Sequence, residues 1–106
     1  MIKFTLLCSL GMSTSILVDK MTDEAKKKGI DVDIDALPFD RADLRLSDTD
    51  ILLLGPQVRH LLPKFKDKYA GKIPVIDTIN ISDYGLMRGD KILAESLAKL
   101  EAAQKD

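Results

Sequence analysis

Met1-Ile-Lys-Phe-Thr-Leu-Leu-Cys8, followed by Ser9-Leu-Gly-Met-Ser-Thr-Ser15, opens the chain with a strand, a loop and the start of a helix. The apolar run from Ile2 to Leu7 predicts a buried strand, and Cys8 stands at its end. Ser13, Thr14 and Ser15 are all capable N-caps, so we expect the helix to begin at Ser13 or Thr14. A strand followed at once by a helix is the unit from which parallel α/β sheets are built.

Strand-like and helix-like segments alternate along the rest of the chain. The other predicted strands are Ile30–Leu37, in which apolar and acidic residues alternate, the continuous apolar run Ile51–Leu54, and Ile73–Ile76. Asp77 follows the last strand and is expected to lie outside it. Alternation is typical of a strand near a sheet edge with one covered face, whereas a continuous apolar run is typical of a strand buried on both faces. The pattern predicts one α/β domain with a parallel sheet and helices on both faces.

The connections show helical signals. We expect the first helix to end at Lys28 with Gly29 as its C-cap, and a short helix over Asp40–Leu46. Apolar residues recur at helical spacing from Val58 to Tyr69, and Pro63 implies a kink or a helix restart there. A loop over residues 80–85 then leads to a terminal helix with an apolar stripe formed by Leu93, Leu97, Leu100 and Ala103 or Gln104.

Length, charge and cysteine content narrow the class of protein. A chain of 106 residues forms one domain, residues 1–106, which can bury a core without disulfides or a structural metal. The 16 Lys and Arg against 17 Asp and Glu give a net charge of -1, so there is no basic excess to bind nucleic acid. No apolar run reaches the about 20 residues that span a bilayer, and no secretory signal is recognisable. We therefore expect a cytoplasmic protein. A single cysteine forms no internal disulfide, and a reducing compartment would keep its thiol free. We expect neither a metal nor a cofactor.

Three predicted loops leave the carboxyl ends of strands, where open parallel sheets hold their ligands. They are Cys8–Ser13, Gly55–Val58 and Asp77–Gly85. We expect any active site to be built from these three loops.

The first loop is suited to an anion. Gly11 can turn successive N–H groups inward, and the hydroxyls at positions 13–15 add further donors. Such N–H groups and a helix N-terminus favour a bound phosphate and also the thiolate form of Cys8. The loop lacks the Gly-Lys-Ser/Thr ending of a nucleotide P-loop and the three glycines of a dinucleotide loop, which argues against nucleoside triphosphates.

The spacing of the first loop resembles the phosphate loop of low-molecular-weight tyrosine phosphatases. In that family a strand-end cysteine is followed six positions later by Arg and then by Ser or Thr. Thr14 stands here at the Arg position, while Ser15 keeps the hydroxyl. Because a bidentate Arg clamps the phosphoryl group and stabilises its transition-state charge, we expect this loop to hold a phosphoryl group but to transfer it poorly to water.

Four motifs together resemble the IIB component of the lactose/cellobiose/chitobiose class of the bacterial phosphoenolpyruvate-dependent sugar phosphotransferase system. They are Cys8–Ser15, Leu53–Gln57, Val75–Asp77 and Tyr84-Gly85, and the likeness extends over essentially the whole chain. The resemblance implies a three-layer domain with a four-stranded open parallel sheet of order 2-1-3-4, the fold of low-molecular-weight tyrosine phosphatases.

The resemblance also implies a function. Cys8 would accept a phosphoryl group from a phosphohistidine of the cytoplasmic IIA protein. It would then transfer the group to a sugar bound by the membrane IIC permease, a β-linked disaccharide such as cellobiose, chitobiose or lactose. We expect a monomer that works at the inner face of the membrane through IIC without inserting into it.

The candidate site residues follow from the loop and from the resemblance. Cys8 is the candidate catalytic residue, and His60 is expected to be a surface or packing residue rather than its partner. The candidates for phosphate binding are Ser9, Leu10, Gly11, Met12, Ser13, Thr14 and Ser15. The candidates for lining the site are Gly55, Pro56, Gln57, Asp77 and Tyr84.

Three other functions fit parts of the sequence. One is a small phosphatase, in which Asp77 or Asp83 would protonate a leaving group, and the missing Arg argues against it. Another is a non-catalytic regulatory module of the same fold, which would not need a thiol in an anion-binding loop. A thiol reductase is the weakest alternative, because no second cysteine is present to resolve an intermediate.

Overall fold

A four-stranded parallel sheet forms the centre of the protein, in a computed structural model that describes residues 1–8 and 12–104. The strands are β1 (Ile2–Cys8), β2 (Val32–Pro38), β3 (Ile51–Leu54) and β4 (Val75–Thr78). Their order is β2-β1-β3-β4, which confirms the expected topology. Every residue of β3 is buried, as its continuous apolar sequence predicts for an inner strand covered on both faces.

The strand register brings the carboxyl ends of the four strands to one edge of the sheet. Cys8 pairs with Pro38 across β1 and β2, and Leu7 pairs with Leu54 across β1 and β3. Leu54 in turn pairs with Thr78 of β4. The connections that leave β1, β3 and β4 therefore all start from this carboxyl edge.

Helices α1 (Met12–Lys27), α3 (Ile81–Gly85) and α4 (Gly89–Gln104) cover one face of the sheet. Gly29 ends α1 with a φ of 69°, and two hydrogen bonds close the turn, Gly29 N to Lys26 O at 3.2 Å and Ile30 N to Ala25 O at 2.9 Å. This is a Schellman C-cap, so the predicted C-cap at Gly29 is confirmed. The buried cluster on this face comprises Phe4, Leu6, Leu17, Met21, Ala25, Ile51, Leu53, Val75, Ile79, Tyr84, Ile92, Leu93 and Leu100.

Helix α2 (Leu62–Tyr69) and three 3₁₀ helices cover the other face. The 3₁₀ helices are Phe39–Leu44, Leu46–Asp48 and Pro56–Leu61. Pro63 lies in the first turn of α2, where a missing N–H costs no intrahelical bond, so the segment restarts as a new helix after Leu61. The buried cluster here comprises Leu7, Ala42, Leu46, Leu52, Leu54, Val58, Phe65 and Ile73.

Arg45 joins the edge strand β2 to the middle of the sheet. Its guanidinium donates to Thr5 Oγ1 at 3.0 Å and to the carbonyls of Phe4 and Asp33 at 3.2 Å each. The same group forms ion pairs with the carboxylates of Asp33 at 3.3 Å and Asp35 at 4.0 Å. The alternation of apolar and acidic residues had predicted that only the apolar face of β2 is covered. Arg45 in fact partly covers the acidic positions as well.

Helices α1 and α4 approach each other most closely at Gly89. A β-carbon at this position would lie 2.9 Å from Lys20 Cβ and 3.0 Å from two backbone atoms, Lys20 C and Met21 N. Glycine is needed at this position because any side chain would meet the backbone of α1.

Several predicted boundaries are wrong. Strand β2 begins at Val32 rather than Ile30, and β4 begins at Val75 rather than Ile73 and includes Asp77, which the sequence had placed outside the strand. For β4 the reason is the pairing with β3, in which Ile51 lies opposite Val75 and the ladder continues to Thr78.

The helices also differ in detail from the prediction. The first begins at Met12 and ends at Lys27, and the short helix expected over Asp40–Leu46 is two 3₁₀ segments. The loop expected over residues 80–85 contains α3. Leu93 and Leu100 are buried as predicted, but Ala103 and Gln104 are exposed. In the part of the chain that is described, no helix has both the length and the apolar character needed to cross a membrane.

Candidate functional site

Cys8 is the last residue of β1, at the carboxyl edge of the sheet. It is 3% exposed, and its Sγ lies 3.8 Å from the carbonyl oxygen of Leu37 on β2. Helix α1 begins four positions later, at Met12. Of the predicted phosphate-binding residues, Ser9, Leu10 and Gly11 lie outside the described residues. Met12 and Ser13 are placed as the first two residues of α1.

The first turn of α1 supplies the positive end of a helix dipole close in sequence to the thiol. A helix of 16 residues has N–H groups in its first turn without partners inside the helix, and these groups favour an anion. Ser15 is exposed on this turn, whereas Thr14 is 1% exposed. The two predicted hydroxyl ligands therefore face different surroundings.

Thr14 and Tyr84 connect the first loop to the third. Thr14 Oγ1 and Tyr84 Oη share a buried hydrogen bond of 2.8 Å between residues 70 positions apart. Tyr84 is 7% exposed and lies on α3, which follows β4. The structure thus brings together two of the predicted site residues that come from opposite ends of the chain.

Gly55 adds the second loop to this arrangement. Its N–H donates to the carbonyl of Leu7 at 2.8 Å, next to Cys8. A β-carbon on Gly55 would lie 2.8 Å from Gln57 Oε1, 3.3 Å from Leu7 O and 3.8 Å from Tyr84 Cε2. Gly55, Gln57 and Tyr84 therefore meet beside the end of β1. Pro56, half-buried, begins the 3₁₀ helix between Gly55 and α2.

Asp77 belongs to a different cluster. Its Oδ2 accepts a hydrogen bond from Lys99 Nζ of α4, and its Oδ1 accepts one from the N–H of Thr78 at 2.8 Å. Burial would raise the pKa of Asp77, but the hydrogen bonds from Lys99 and Thr78 and the positive charges of Lys99 and Lys66 outweigh it and hold the pKa below its usual value. Asp77 thus remains ionised, which is unfavourable for a general acid.

Asp83 and His60 also have defined places. The Asp83 side chain is 8% exposed and pairs with Lys91 of α4 at 3.2 Å, so it anchors α3 to α4. His60 is exposed on the 3₁₀ helix Pro56–Leu61, which confirms it as a surface residue.

The N-cap role of Asn80 was not predicted from the sequence. Its Oδ1 accepts hydrogen bonds from the N–H groups of Ser82 at 2.8 Å and Asp83 at 3.2 Å, and so caps α3. Asn is among the best N-cap residues, and that signal was present in the sequence. Among residues 1–8 and 12–104, no three His, Cys, Asp or Glu side chains cluster closely enough to hold a metal ion.

The fold and the site define a small three-layer α/β protein with a cysteine at the carboxyl edge of its sheet. Residues 3–95 match the family described as PTS system, Lactose/Cellobiose specific IIB subunit. The chain is 43% identical over 94 residues to the PTS system galactose-specific EIIB component of Lactococcus lactis subsp. cremoris, covering 84% of this chain and 87% of the relative. The PTS system cellobiose-specific EIIB component of Lactococcus lactis subsp. lactis matches with the same identity and coverage.

A solved structure agrees with these relatives. The solution structure of the cellobiose-specific phosphotransferase IIB component from Borrelia burgdorferi superposes with a TM-score of 0.78 at 32% identity, covering 99% of this chain and 96% of that one. The chain belongs to the lactose/cellobiose-specific IIB family of the sugar phosphotransferase system. It is a phosphotransferase component of that system, so the family resemblance seen in the sequence is confirmed.

Proposed function

We propose that Cys8 carries the phosphoryl group that this IIB protein relays from its donor to a sugar. The observation that carries the proposal is the position of Cys8 at the end of β1, four residues before the N-terminus of α1. Cys8 is also the only cysteine in the chain. A helix N-terminus favours a thiolate, which is the nucleophilic form of a cysteine.

The relay consists of two displacements at phosphorus. The Cys8 thiolate attacks the phosphorus of a phosphohistidine on the IIA protein, so that an S–P bond forms, the P–N bond breaks and the imidazole leaves. A sugar hydroxyl then attacks the same phosphorus. An O–P bond forms, the S–P bond breaks, the hydroxyl proton is released and the thiolate is regenerated.

Backbone N–H groups of residues 10–15 would stabilise the charge that develops on the phosphoryl oxygens. In this proposal the predicted phosphate ligands, including Thr14, act through their main-chain N–H groups. Ser15 lies in the first turn of α1, and Ser9 precedes Gly11 in the sequence. Gly55, Pro56, Gln57 and Tyr84 would line the site, in keeping with the approach of Gln57 and Tyr84 to Gly55, whereas Asp77 is engaged with Lys99.

A phosphatase is the less favoured alternative. The position that Arg occupies in the phosphatases is Thr14, whose side chain is buried and bonded to Tyr84. Without a guanidinium, the loop lacks the clamp with which the phosphatases stabilise transfer to water. Asp77, the candidate acid, is held ionised by Lys99.

The proposed partners follow from the family. A IIA protein donates the phosphoryl group, and a IIC permease presents the sugar at the cytoplasmic face of the membrane. We propose a β-linked disaccharide as the sugar, in keeping with the lactose/cellobiose-specific family. The chain would act as a monomer, because donor and acceptor must reach the same carboxyl edge in turn.

The test is transfer of ³²P from phosphoenolpyruvate through the general phosphotransferase proteins and IIA to this chain. We expect one label per wild-type chain, in an iodine-sensitive thiophosphate, and no label on Cys8→Ser. The matched control is His60→Gln, which removes the only histidine and should label like wild type.

Three outcomes would contradict the proposal. They are label that survives in Cys8→Ser, label that is lost in His60→Gln, and rapid hydrolysis of p-nitrophenyl phosphate by the wild-type chain. Chase of the labelled protein with IIC membranes and cellobiose, chitobiose or lactose tests the sugar class, and transfer to none of the three would contradict that part.

A further inference from the structure

The hydroxyl of Thr14 is directed into the protein. Thr14 lies in the first turn of α1, is 1% exposed, and shares its 2.8 Å hydrogen bond with Tyr84 Oη. A side chain engaged in this way is not oriented like the phosphate-clamping Arg of a phosphatase. The hydroxyl instead links the N-terminal end of α1 to α3.

Tyr84 is held firmly enough to serve as the fixed side of this link. Its N–H donates to Asn80 O at 2.9 Å, and Asn80 caps the same helix. The neighbouring residue Asp83 pairs with Lys91 of α4 at 3.2 Å. The Tyr84 ring also lies beside Gly55, with Cε2 3.8 Å from where a β-carbon on Gly55 would be. Tyr84 is thus held by α3 and by the loop after β3, and α3 is itself tied to α4 through Asp83.

The placement of the α1 N-terminus matters for phosphoryl transfer. Helix N–H groups stabilise an anion only where they point at it, and the effect is confined to the first turn. A misplacement of about 1 Å in an active site can cost on the order of 100-fold in rate. A buried hydrogen bond at the third residue of α1 is well placed to set this position.

We propose that Tyr84 is a positioning residue for phosphoryl transfer, and that it acts through the Thr14 hydroxyl to fix the first turn of α1 against the end of β1. The proposal rests on the function proposed above. Thr14 therefore contributes its side chain to the link with Tyr84 and its main-chain N–H to the phosphoryl group.

Four variants test the link. Tyr84→Phe and Thr14→Val each remove one hydroxyl with little change of shape, while Thr14→Ser keeps the hydroxyl. Tyr69→Phe is the matched control, because it removes the other tyrosine hydroxyl of the chain, at the end of α2 on the opposite face of the sheet. The rate of transfer from phosphorylated IIA, the Kd for IIA and the Tm are measured for each.

We expect Tyr84→Phe and Thr14→Val each to slow transfer about 10-fold at unchanged Kd, within the range for a misplaced site. The double variant should be no slower than either single one, Thr14→Ser should transfer faster than Thr14→Val because it keeps the hydroxyl, and Tyr69→Phe should transfer like wild type. Loss of Tm without loss of rate would show a structural role only and overturn the proposal. If Thr14→Val slowed transfer while Tyr84→Phe transferred at the wild-type rate, the Thr14 hydroxyl would be a direct ligand of the phosphoryl group, and the proposal would also be overturned.

A second measurement separates this proposal from the proposed function. Inorganic phosphate is titrated into the same variants on a Cys8→Ser background and followed by the amide NMR shifts of residues 12–15. We expect Tyr84→Phe and Thr14→Val to weaken phosphate binding about 10-fold, whether or not the wild-type chain accepts a phosphoryl group from IIA. Unchanged phosphate affinity in both variants would overturn the positioning role, while missing label on wild-type Cys8 would overturn only the proposed function.

Discussion

The contact between α1 and α4 at Gly89 gives the sharpest prediction of stability. Non-bonded carbon atoms ordinarily lie about 3.5–4.0 Å apart. The β-carbon of Gly89→Ala would lie 2.9 Å from Lys20 Cβ and 3.0 Å from the backbone atoms Lys20 C and Met21 N. The two helices would therefore have to separate by about 0.5–1 Å. The backbone of α1 cannot rotate aside as a flexible side chain could.

The size of the effect follows from two opposing contributions. Overpacking of this kind costs about 1–3 kcal/mol. Replacing glycine with alanine restricts the unfolded chain and returns about 0.4–1 kcal/mol. We expect Gly89→Ala to lower the free energy of unfolding by about 1–2 kcal/mol, which at about 4–8 °C per kcal/mol for a domain of this size lowers the Tm by about 4–16 °C.

Gly85→Ala is the matched control, because no atom lies within 4 Å of its β-carbon position and its φ is not in the left-handed region. We expect this variant to be as stable as wild type or more stable, by at most about 1 kcal/mol. Urea unfolding followed by circular dichroism measures both variants. A Gly89→Ala protein as stable as wild type, or an equal loss in Gly85→Ala, would refute the argument from close packing.

Two further predictions concern α3 and β4. Asn80→Ala removes the acceptor for the N–H groups of Ser82 and Asp83. It should lower the free energy of unfolding, measured with urea, by about 1 kcal/mol. Asn80→Asp keeps an acceptor and should retain most of this stabilisation. The pKa of Asp77 is lowered in the folded protein, so its pairing stabilises the fold above the unfolded pKa of about 3.9 and is lost as the pH falls through the lower folded pKa. Lys99→Met should therefore be less stable than wild type by about 0.5 kcal/mol near neutral pH. The difference should shrink as the pH falls below about 4. A difference that does not depend on pH would count against the pairing.

Local sequence patterns were enough to predict the bounds of the inner strand β3, but not those of β4. The continuous run Ile51–Leu54 predicted β3 to its observed bounds, because both faces of that strand are covered. Strand β4 instead includes Asp77 and Thr78, polar residues that a local reading places in a loop. Pairing with β3 extends the strand, and Lys99 neutralises Asp77 from 22 residues farther along the chain.

The candidate site, too, could be predicted only in part from the local sequence. The strand-end position of Cys8 could be read from its own neighbourhood, and the start of α1 could be read to within two residues. The bond between Thr14 and Tyr84 could not be predicted, because it joins residues 70 positions apart that each fit a local role. Asn80 was readable as an N-cap, but α3 is only five residues long and too short for a periodic pattern to mark it.

The acidic edge strand has a consequence for self-association. A strand at a sheet edge exposes unpaired N–H and C=O groups to which another chain can add. Asp33 and Asp35 belong to this edge strand, and Arg45 of the same molecule compensates their partly exposed carboxylates only in part. If a second copy paired its own β2 with this strand, the carboxylates of the two copies would come close together and repel each other. Arg45 is already engaged with the carboxylates of its own molecule. The edge therefore resists the growth of strand-paired aggregates, and neutralising both carboxylates would remove that protection.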